Sequence, residues 1–250
     1  MAKVFLSAGH GGTDPGAVAY GLKEEDINLN TLLACRDELK RHGVTVVCSR
    51  TKDENDPVGQ EVKEANNSKA DIAVSFHTNA GGGDGFEAFY HTSNKNAKKL
   101  AGLGEKYVKA LGQNSRGLKS GNHLYFIKNT NMLSVLFESF FVDNDKDNNI
   151  GDTVKEQKAF GVAYAKAILE YLGIKYKEPK EELKEEPKTS EFKVKITSKS
   201  LNVRAGAGTK YKVNTVVYKD QVYTIVKTSG DWGKLKSGAG WINLSYTKRV

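Results

Sequence analysis

The sequence predicts an α/β protein with a mostly parallel, twisted sheet flanked by helices, followed by a second, small, all-β barrel-like domain. Over residues 1–174, short apolar runs alternate with longer amphipathic runs, as in strands separated by helices. After residue 191 the sequence pattern changes to short β-rich runs separated by turn residues, without helical periodicity. These two sequence patterns indicate two domains, one α/β and one all-β.

The elements of the first domain follow from apolar spacing. The run at residues 3–8 is a buried strand that ends at a glycine-rich turn. Residues 24–41 place leucines and Cys35 on one helical face, which predicts the first long helix. The same reasoning extends to the rest of the domain. The predicted strands span 3–8, 44–49, 72–76, 85–90, 124–127 and 135–140, and the predicted helices span 24–41, 58–68, 97–111 and 153–172.

A charged segment separates the two domains. Residues 175–191 read KYKEPKEELKEEPKTSE, with almost no apolar side chain and two prolines. Such a run cannot bury enough apolar surface to fold independently, so we interpret it as a linker. A solvated helix with Glu/Lys pairs is the alternative, although Leu183 alone is a weak anchor. The predicted domains are 1–174 and 192–250, joined by the linker at 175–191.

Charge is distributed unevenly along the chain. The formal net charge is +8, yet residues 1–173 hold 21 basic and 22 acidic side chains, whereas residues 192–250 hold 12 and 2. A polyanionic partner would therefore meet the second domain. We expect no nucleic-acid partner. We also expect no membrane insertion, because no run approaches the roughly 18 to 20 apolar residues of a spanning helix. The two cysteines lie in apolar stretches of the sequence, which is typical of buried free thiols.

His10 and His77 each follow an apolar predicted strand. His10 ends VFLSAGH and His77 ends IAVSFH, so both belong at the carboxyl ends of parallel strands, where ligands gather. A catalytic zinc site commonly uses two histidines, one glutamate and an open position. Glu24 and Glu25 are candidates for the third ligand, although acidic residues in a first helical turn also suit the helix dipole. His42, by contrast, precedes a glycine at a helix end and is assigned no chemistry.

A carboxylate also lies inside a strongly apolar run, VLFESFF, at Glu138. Charged side chains are seldom buried without a partner. Glu138 is therefore either part of a structural ion pair or a general acid/base at the mouth of an active site. The residues alone favour neither reading.

Five segments in chain order resemble a known family. SAGHGGTDPGA, GLKEEDINLN, SRTKDEN, AVSFHTNA and VLFESFFVDN are similar to zinc-dependent N-acetylmuramoyl-L-alanine amidases of bacterial cell-wall hydrolases and phage endolysins. The resemblance covers about residues 3–172. It implies that His10, Glu24 rather than Glu25, and His77 bind Zn²⁺, and that Glu138 is the catalytic acid/base. The implied reaction is hydrolysis of the amide between N-acetylmuramic acid and L-alanine in peptidoglycan, with zinc-bound water as the nucleophile.

Residues 192–250 resemble bacterial Src-homology-3-like domains, which many cell-wall hydrolases use to bind the wall. This second resemblance implies the cell wall as the destination, and the basic charge of residues 192–250 suits binding to anionic wall polymers. Peptidoglycan as the substrate is what the amidase resemblance implies. Two other functions stay open: a zinc peptidase that cuts within the stem peptide, and a non-catalytic wall-binding protein.

The sequence also raises an expectation about localisation. No apolar run near Met1 is long enough for a signal peptide, so we expect synthesis in the cytoplasm and action on the wall after holin-mediated release or lysis. This route suits a phage or prophage endolysin, with a sporulation autolysin as the alternative.

Overall fold

The computed structural model describes residues 2–179, 191–209 and 211–250. The chain divides into two compact units, Met1–Glu178 and Pro179–Val250. Most of the predicted linker, residues 180–190, lies outside the described residues. The linker and the exact domain boundaries therefore stay predictions.

The first unit is built on a six-stranded sheet with the order β4-β1-β5-β8-β6-β7. The first four of these strands are parallel, β6 runs antiparallel to β8, and β7 is parallel to β6. A two-stranded hairpin, β2-β3, stands apart from this sheet. The strands are β1 (Lys3–Ala8), β2 (Val18–Ala19), β3 (Leu22–Lys23), β4 (Thr45–Cys48), β5 (Ile72–Asn79), β6 (Phe86–Tyr90), β7 (Ser115–Ser120) and β8 (Leu133–Phe141).

Helices cover both faces of this sheet, which confirms the predicted fold class. They are α1 (Glu24–Arg41), α2 (Val58–Ser68), α3 (Lys95–Lys109), α4 (Tyr125–Asn129), α5 (Asp145–Asn148) and α6 (Val154–Tyr171). Helix α6 packs against both α1 and α3 over the larger core. Tyr164 of α6 stacks on Phe137 there, with ring centroids 4.5 Å apart. Helices α2 and α4 cover the opposite face around Phe5 and Phe126.

One predicted strand is wrong. Residues 124–127 were expected to be extended because their side chains are large and apolar, but the structure forms α4 there. Only Phe126 and Ile127 of this run are buried, against the α2 side of the sheet. A run of four apolar residues is too short for its periodicity to separate a strand from a helical turn.

Strand β7 was not predicted. Its sequence, SRGLKS, is polar and contains a glycine, and none of its residues is fully buried. It forms an edge of the sheet, where one side of a strand meets solvent and apolar alternation is weak.

The second unit is all-β, as predicted. Seven antiparallel strands follow the order β11-β10-β14-β13-β12-β9-β15 around a small core that includes Val203, Ile225 and Ile242. The strands are β9 (Phe192–Ile196), β10 (Ser200–Arg204), β11 (Val213–Tyr218), β12 (Val222–Ser229), β13 (Trp232–Leu235), β14 (Trp241–Asn243) and β15 (Thr247–Arg249).

Both cysteines carry free thiols, with Cys35 buried and Cys48 half-buried. Of the helices in the described residues, none combines the length and apolar character that a bilayer crossing requires.

Candidate active site

Three side chains from distant segments converge at the carboxyl ends of β1 and β5. His10, Glu24 and His77 each offer one ligand atom, and these atoms lie within 4.8 Å of one another. Glu24 Oε1 is 3.3 Å from His10 Nε2 and 3.0 Å from His77 Nδ1. The Glu24 side chain is buried, whereas both imidazoles are partly exposed. Two imidazole nitrogens and one carboxylate oxygen are a donor set that zinc uses in catalytic sites, so the group fits a metal ion.

The loop after β1 presents His10 in an unusual conformation. Its φ of 66° lies in the left-handed region, which is uncommon for a residue with a Cβ. His10 Nδ1 is 2.8 Å from Asp14 Oδ2. Because Nδ1–H donates to this carboxylate, Nε2 is free to face Glu24 and a metal.

Glu24 is the first residue of α1, and several donors hold its carboxylate in place. Oε2 accepts a hydrogen bond from the backbone N–H of Ala17, and Oε1 accepts one from the N–H of Thr78. Asn28 donates its amide N–H to Glu24 Oε1 and to the Gly9 carbonyl, at 3.3 and 3.0 Å. The neighbouring Glu25 pairs with Lys23 instead. Of the two candidate glutamates, Glu24 therefore meets the imidazoles.

A buried arginine joins the two segments that carry His10 and Glu24. Arg50 is 2% exposed, and it donates from Nε to the Ala8 carbonyl and from Nη2 to the Glu25 carbonyl. One side chain thus fixes the end of β1 against the first turn of α1.

Gly9 leaves room for the third member of the group. A Cβ built on Gly9 would lie 2.1 Å from His77 Cε1. The His77 ring therefore occupies the space that any other side chain at position 9 would need.

The charges of the group stabilise one another. Although burial favours the neutral acid, hydrogen bonds from His10 and His77 hold the pKa of Glu24 well below its usual range. The hydrogen bond to Glu24 raises the pKa of His10 to about 9. Burial opposes protonation of His77, but its hydrogen bond to Glu24 and nearby carboxylates raise the pKa above its ordinary value. Glu24 is thus ionised and ready to accept a cation, which would displace the imidazole protons.

Glu138 lies beside this group on β8, paired in register with His77 of β5. Glu138 as a whole is half-buried. Its Oε2 atom is buried and has no hydrogen-bond partner among the described residues. Burial raises the pKa of Glu138 to about 7. A carboxyl group with such a pKa can both accept and donate a proton near neutral pH.

A cavity of about 590 Å³ opens onto the group. Its other wall is formed by the loop before α2 and by the first turns of that helix. The lining residues include His10, His77, Asp14, Asn55, Asp56 and Glu61. The cleft therefore has the two histidines at its base and an acidic wall on the α2 side.

Sequence reasoning missed several residues of this site. The sequence around Asp14 indicates only a turn, because DPG is a turn signal wherever it occurs. Asn28 and Thr78 gave no signal at all, since their contacts join segments 50 residues apart. His42, in contrast, is the C-cap of α1 and bonds Glu38 within its own helix, away from the group.

Two known protein families match parts of this chain. The family model described as N-acetylmuramoyl-L-alanine amidase matches residues 4–170. The chain belongs to the N-acetylmuramoyl-L-alanine amidase family. Residues 199–248 match the bacterial SH3 domain.

Individual relatives cover different parts of the chain. The endolysin of Bacillus phage SPP1 is 33% identical over 263 residues, which span 94% of this chain and 93% of that protein. The N-acetylmuramoyl-L-alanine amidase CwlM of Bacillus licheniformis is 37% identical over 151 residues, 59% of each chain. The solved catalytic domain of the amidase CwlV from Bacillus (Paenibacillus) polymyxa aligns with a TM-score of 0.65 and 33% identity, over 70% of this chain and all of that domain.

Proposed function

We propose that this protein is a zinc-dependent peptidoglycan hydrolase that cuts the amide bond between N-acetylmuramic acid and L-alanine. One observation carries the proposal: His10, Glu24 and His77 converge at a cleft, with Glu138 beside them. Membership of the amidase family supports the choice of bond.

In the proposed mechanism His10, Glu24 and His77 hold the metal. Bound there, Zn²⁺ would polarise the scissile carbonyl and lower the pKa of a water molecule. Asp14 keeps His10 in the tautomer that points Nε2 at the site. The acidic, partly enclosed cleft leaves one side of the group open to substrate.

Glu138 carries the proton in this mechanism. In its ionised form it accepts a proton from the attacking water, whose oxygen bonds to the carbonyl carbon. It then donates that proton to the nitrogen of L-alanine as the C–N bond breaks. The pKa of about 7 suits both halves of the cycle, because neither form is strongly disfavoured near neutrality.

Product analysis on purified cell walls tests the proposal. The expected product is a new free amino terminus on L-alanine, whose release stops with a chelator and resumes with added Zn²⁺. A new amino group elsewhere in the stem peptide would identify a peptidase instead. Wall binding without any new amino terminus would identify a non-catalytic binding protein.

We further propose that the second unit binds anionic wall polymers and that the protein acts as a phage or prophage endolysin. The basic composition of residues 192–250 and their match to the bacterial SH3 domain support the first statement. Similarity to a phage endolysin over almost the whole chain supports the second. Release through a holin or by lysis is the route this implies.

A further inference from the structure

A second charged cluster lies beyond Glu138 along the sheet. Glu87 of β6 stands directly opposite Glu138 of β8 in an antiparallel pair. Side chains of directly opposed residues project from the same face of a sheet, at neighbouring positions. Glu87 thus extends the line of functional side chains from β8 to β6.

The charges around Glu87 do not balance within the cluster. Its side chain is 5% exposed, and Oε1 accepts hydrogen bonds from Arg116 Nε and Lys119 Nζ of the edge strand β7. Asn79 donates to the other oxygen at 3.2 Å. One carboxylate therefore pairs with two cations, so Glu87, Arg116 and Lys119 together carry one excess positive charge.

Arg116 has unused donors. It engages Glu87 only through Nε, and in the described part of the chain neither of its Nη groups donates a hydrogen bond. Its guanidinium carbon lies 5.2 Å from the centroid of the Phe141 ring, and its side chain is 43% exposed. An arginine held in this way can offer both Nη groups to a second carboxylate as a planar fork.

The order of the strands places Arg116 and Lys119 on the Glu138 side of the proposed metal ligands. The inference drawn from this position rests on the proposed function. His10 follows β1, His77 is on β5 and Glu138 is on β8, with β6 and β7 next in the sheet. Because Glu138 gives its proton to the leaving nitrogen, the leaving peptide lies on the Glu138 side of the metal group. A leaving peptide that continues in this direction across the sheet would pass over β6 toward β7.

We propose that Arg116, assisted by Lys119, binds a carboxylate of the stem peptide and thereby selects substrates that carry a free carboxylate next to the cleaved L-alanine. The glycan side of the scissile bond requires no such partner. Arg116 is a specificity-determining residue in this proposal and takes no part in proton transfer.

The test uses two synthetic muramyl-L-alanyl-glutamate peptides that differ only in the glutamate α-carboxylate, which is free in one and a primary amide in the other. The full-length zinc-loaded protein is expected to cleave the free-carboxylate peptide with a kcat/KM about tenfold higher or more, mainly through KM. Arg116→Gln should lower kcat/KM on that peptide toward the value for the amide. Because Lys119 still pairs with Glu87, the variant is expected to fold.

Two further variants separate substrate binding from a structural role. Arg116→Lys should keep part of the preference, since it retains the charge without the fork. The matched control is Arg36→Gln on α1, which removes another partly buried arginine paired with an acid, Asp37, and should leave the preference unchanged.

The outcomes are distinct. Equal cleavage of both peptides by the wild-type protein, or an equal loss on both in Arg116→Gln, would overturn this proposal while the amidase activity stands. Failure to cleave either peptide, together with no release of L-alanine amino termini from walls, would overturn the proposed function itself.

Discussion

At the residue scale, His10 combines an uncommon backbone conformation with a ring that contacts two carboxylates. Its backbone is in the left-handed region, and its ring is held between Asp14 and Glu24. The conformational cost of such a backbone is about 1–3 kcal/mol, and it persists only where surrounding contacts impose it. At His10 those contacts include the ones that its ring makes with Asp14 and Glu24.

We expect His10→Ala to lose the metal. Removing one of three ligands leaves a site that holds zinc weakly, so atomic absorption of the purified variant should find far less than one zinc per chain. The control is His91→Ala, because His91 follows β6 at the opposite end of the sheet, where its imidazole Nδ1 hydrogen-bonds Ser93 Oγ. A full complement of zinc in His10→Ala would contradict the assignment of His10 as a ligand.

Glu138→Gln should abolish turnover and keep the zinc, since an amide cannot exchange the proton. The same change should stabilise the zinc-free protein at high pH. The pKa of about 7 in the folded state lies above the ordinary glutamate pKa of 4.5. The associated stability is therefore complete below pH 4.5 and is lost as the pH rises through 7.

The measurement is denaturant unfolding of both proteins in chelator at pH 4 and pH 8. At pH 8 the variant is expected to be more stable by about 2–3 kcal/mol, and at pH 4 the difference should vanish. An unchanged difference between the two pH values would show that Glu138 ionises normally in the folded protein.

At the element scale, the site depends on how closely β1 and β5 approach. Gly9 follows β1, and its N–H donates to the Phe76 carbonyl at 3.0 Å, so the sheet pairing continues to the edge of the metal group. The His77 ring then packs directly over the Gly9 backbone. The spacing of these two strands therefore sets the position of two proposed ligands.

We expect Gly9→Ala to displace the His77 ring, because the new Cβ would lie 2.1 Å from its Cε1 atom. Overpacking of this kind costs about 1–3 kcal/mol of stability, and zinc affinity should fall with it. Gly59→Ala is the matched control, since a Cβ there meets no atom within 4 Å and α2 gains helix propensity. Denaturant unfolding and zinc titration of both variants test this; normal zinc affinity in Gly9→Ala would refute it.

At the scale of the whole molecule, the two units differ in charge and thus in the partners that suit them. The first unit is almost neutral, whereas the second carries most of the excess positive charge. Attraction between exposed charges is screened over roughly 8–10 Å at physiological salt. Wall binding by the second unit should therefore weaken as salt is added.

We expect the double variant Lys193→Glu/Lys248→Glu to sediment less with purified walls, because both side chains are exposed on adjacent strands β9 and β15. The control is Lys98→Glu/Lys155→Glu, which makes the same change in net charge on exposed positions of the first unit. Walls stripped of anionic polymers should bind both variants equally. If the two variants bind intact walls alike, the proposed role of the second unit is wrong.

The sequence by itself determined the fold class, because apolar periodicity is a local property that survives without knowledge of the packing. It failed where that signal was short or weak, at the helix Tyr125–Asn129 and at the edge strand Ser115–Ser120. The family resemblance supplied the site residues His10, Glu24, His77 and Glu138, whose metal and proton roles remain to be measured.

Only the tertiary structure decided how these residues meet. Adjacent Glu24 and Glu25 look alike in the chain, but the first turn of α1 aims Glu24 at both imidazoles and leaves Glu25 to Lys23. Likewise, the pairing of β6 with β8 and β7 brings Glu87 and Arg116 to the side of Glu138. Such contacts join residues that are distant in the chain, so no local pattern of amino acids records them.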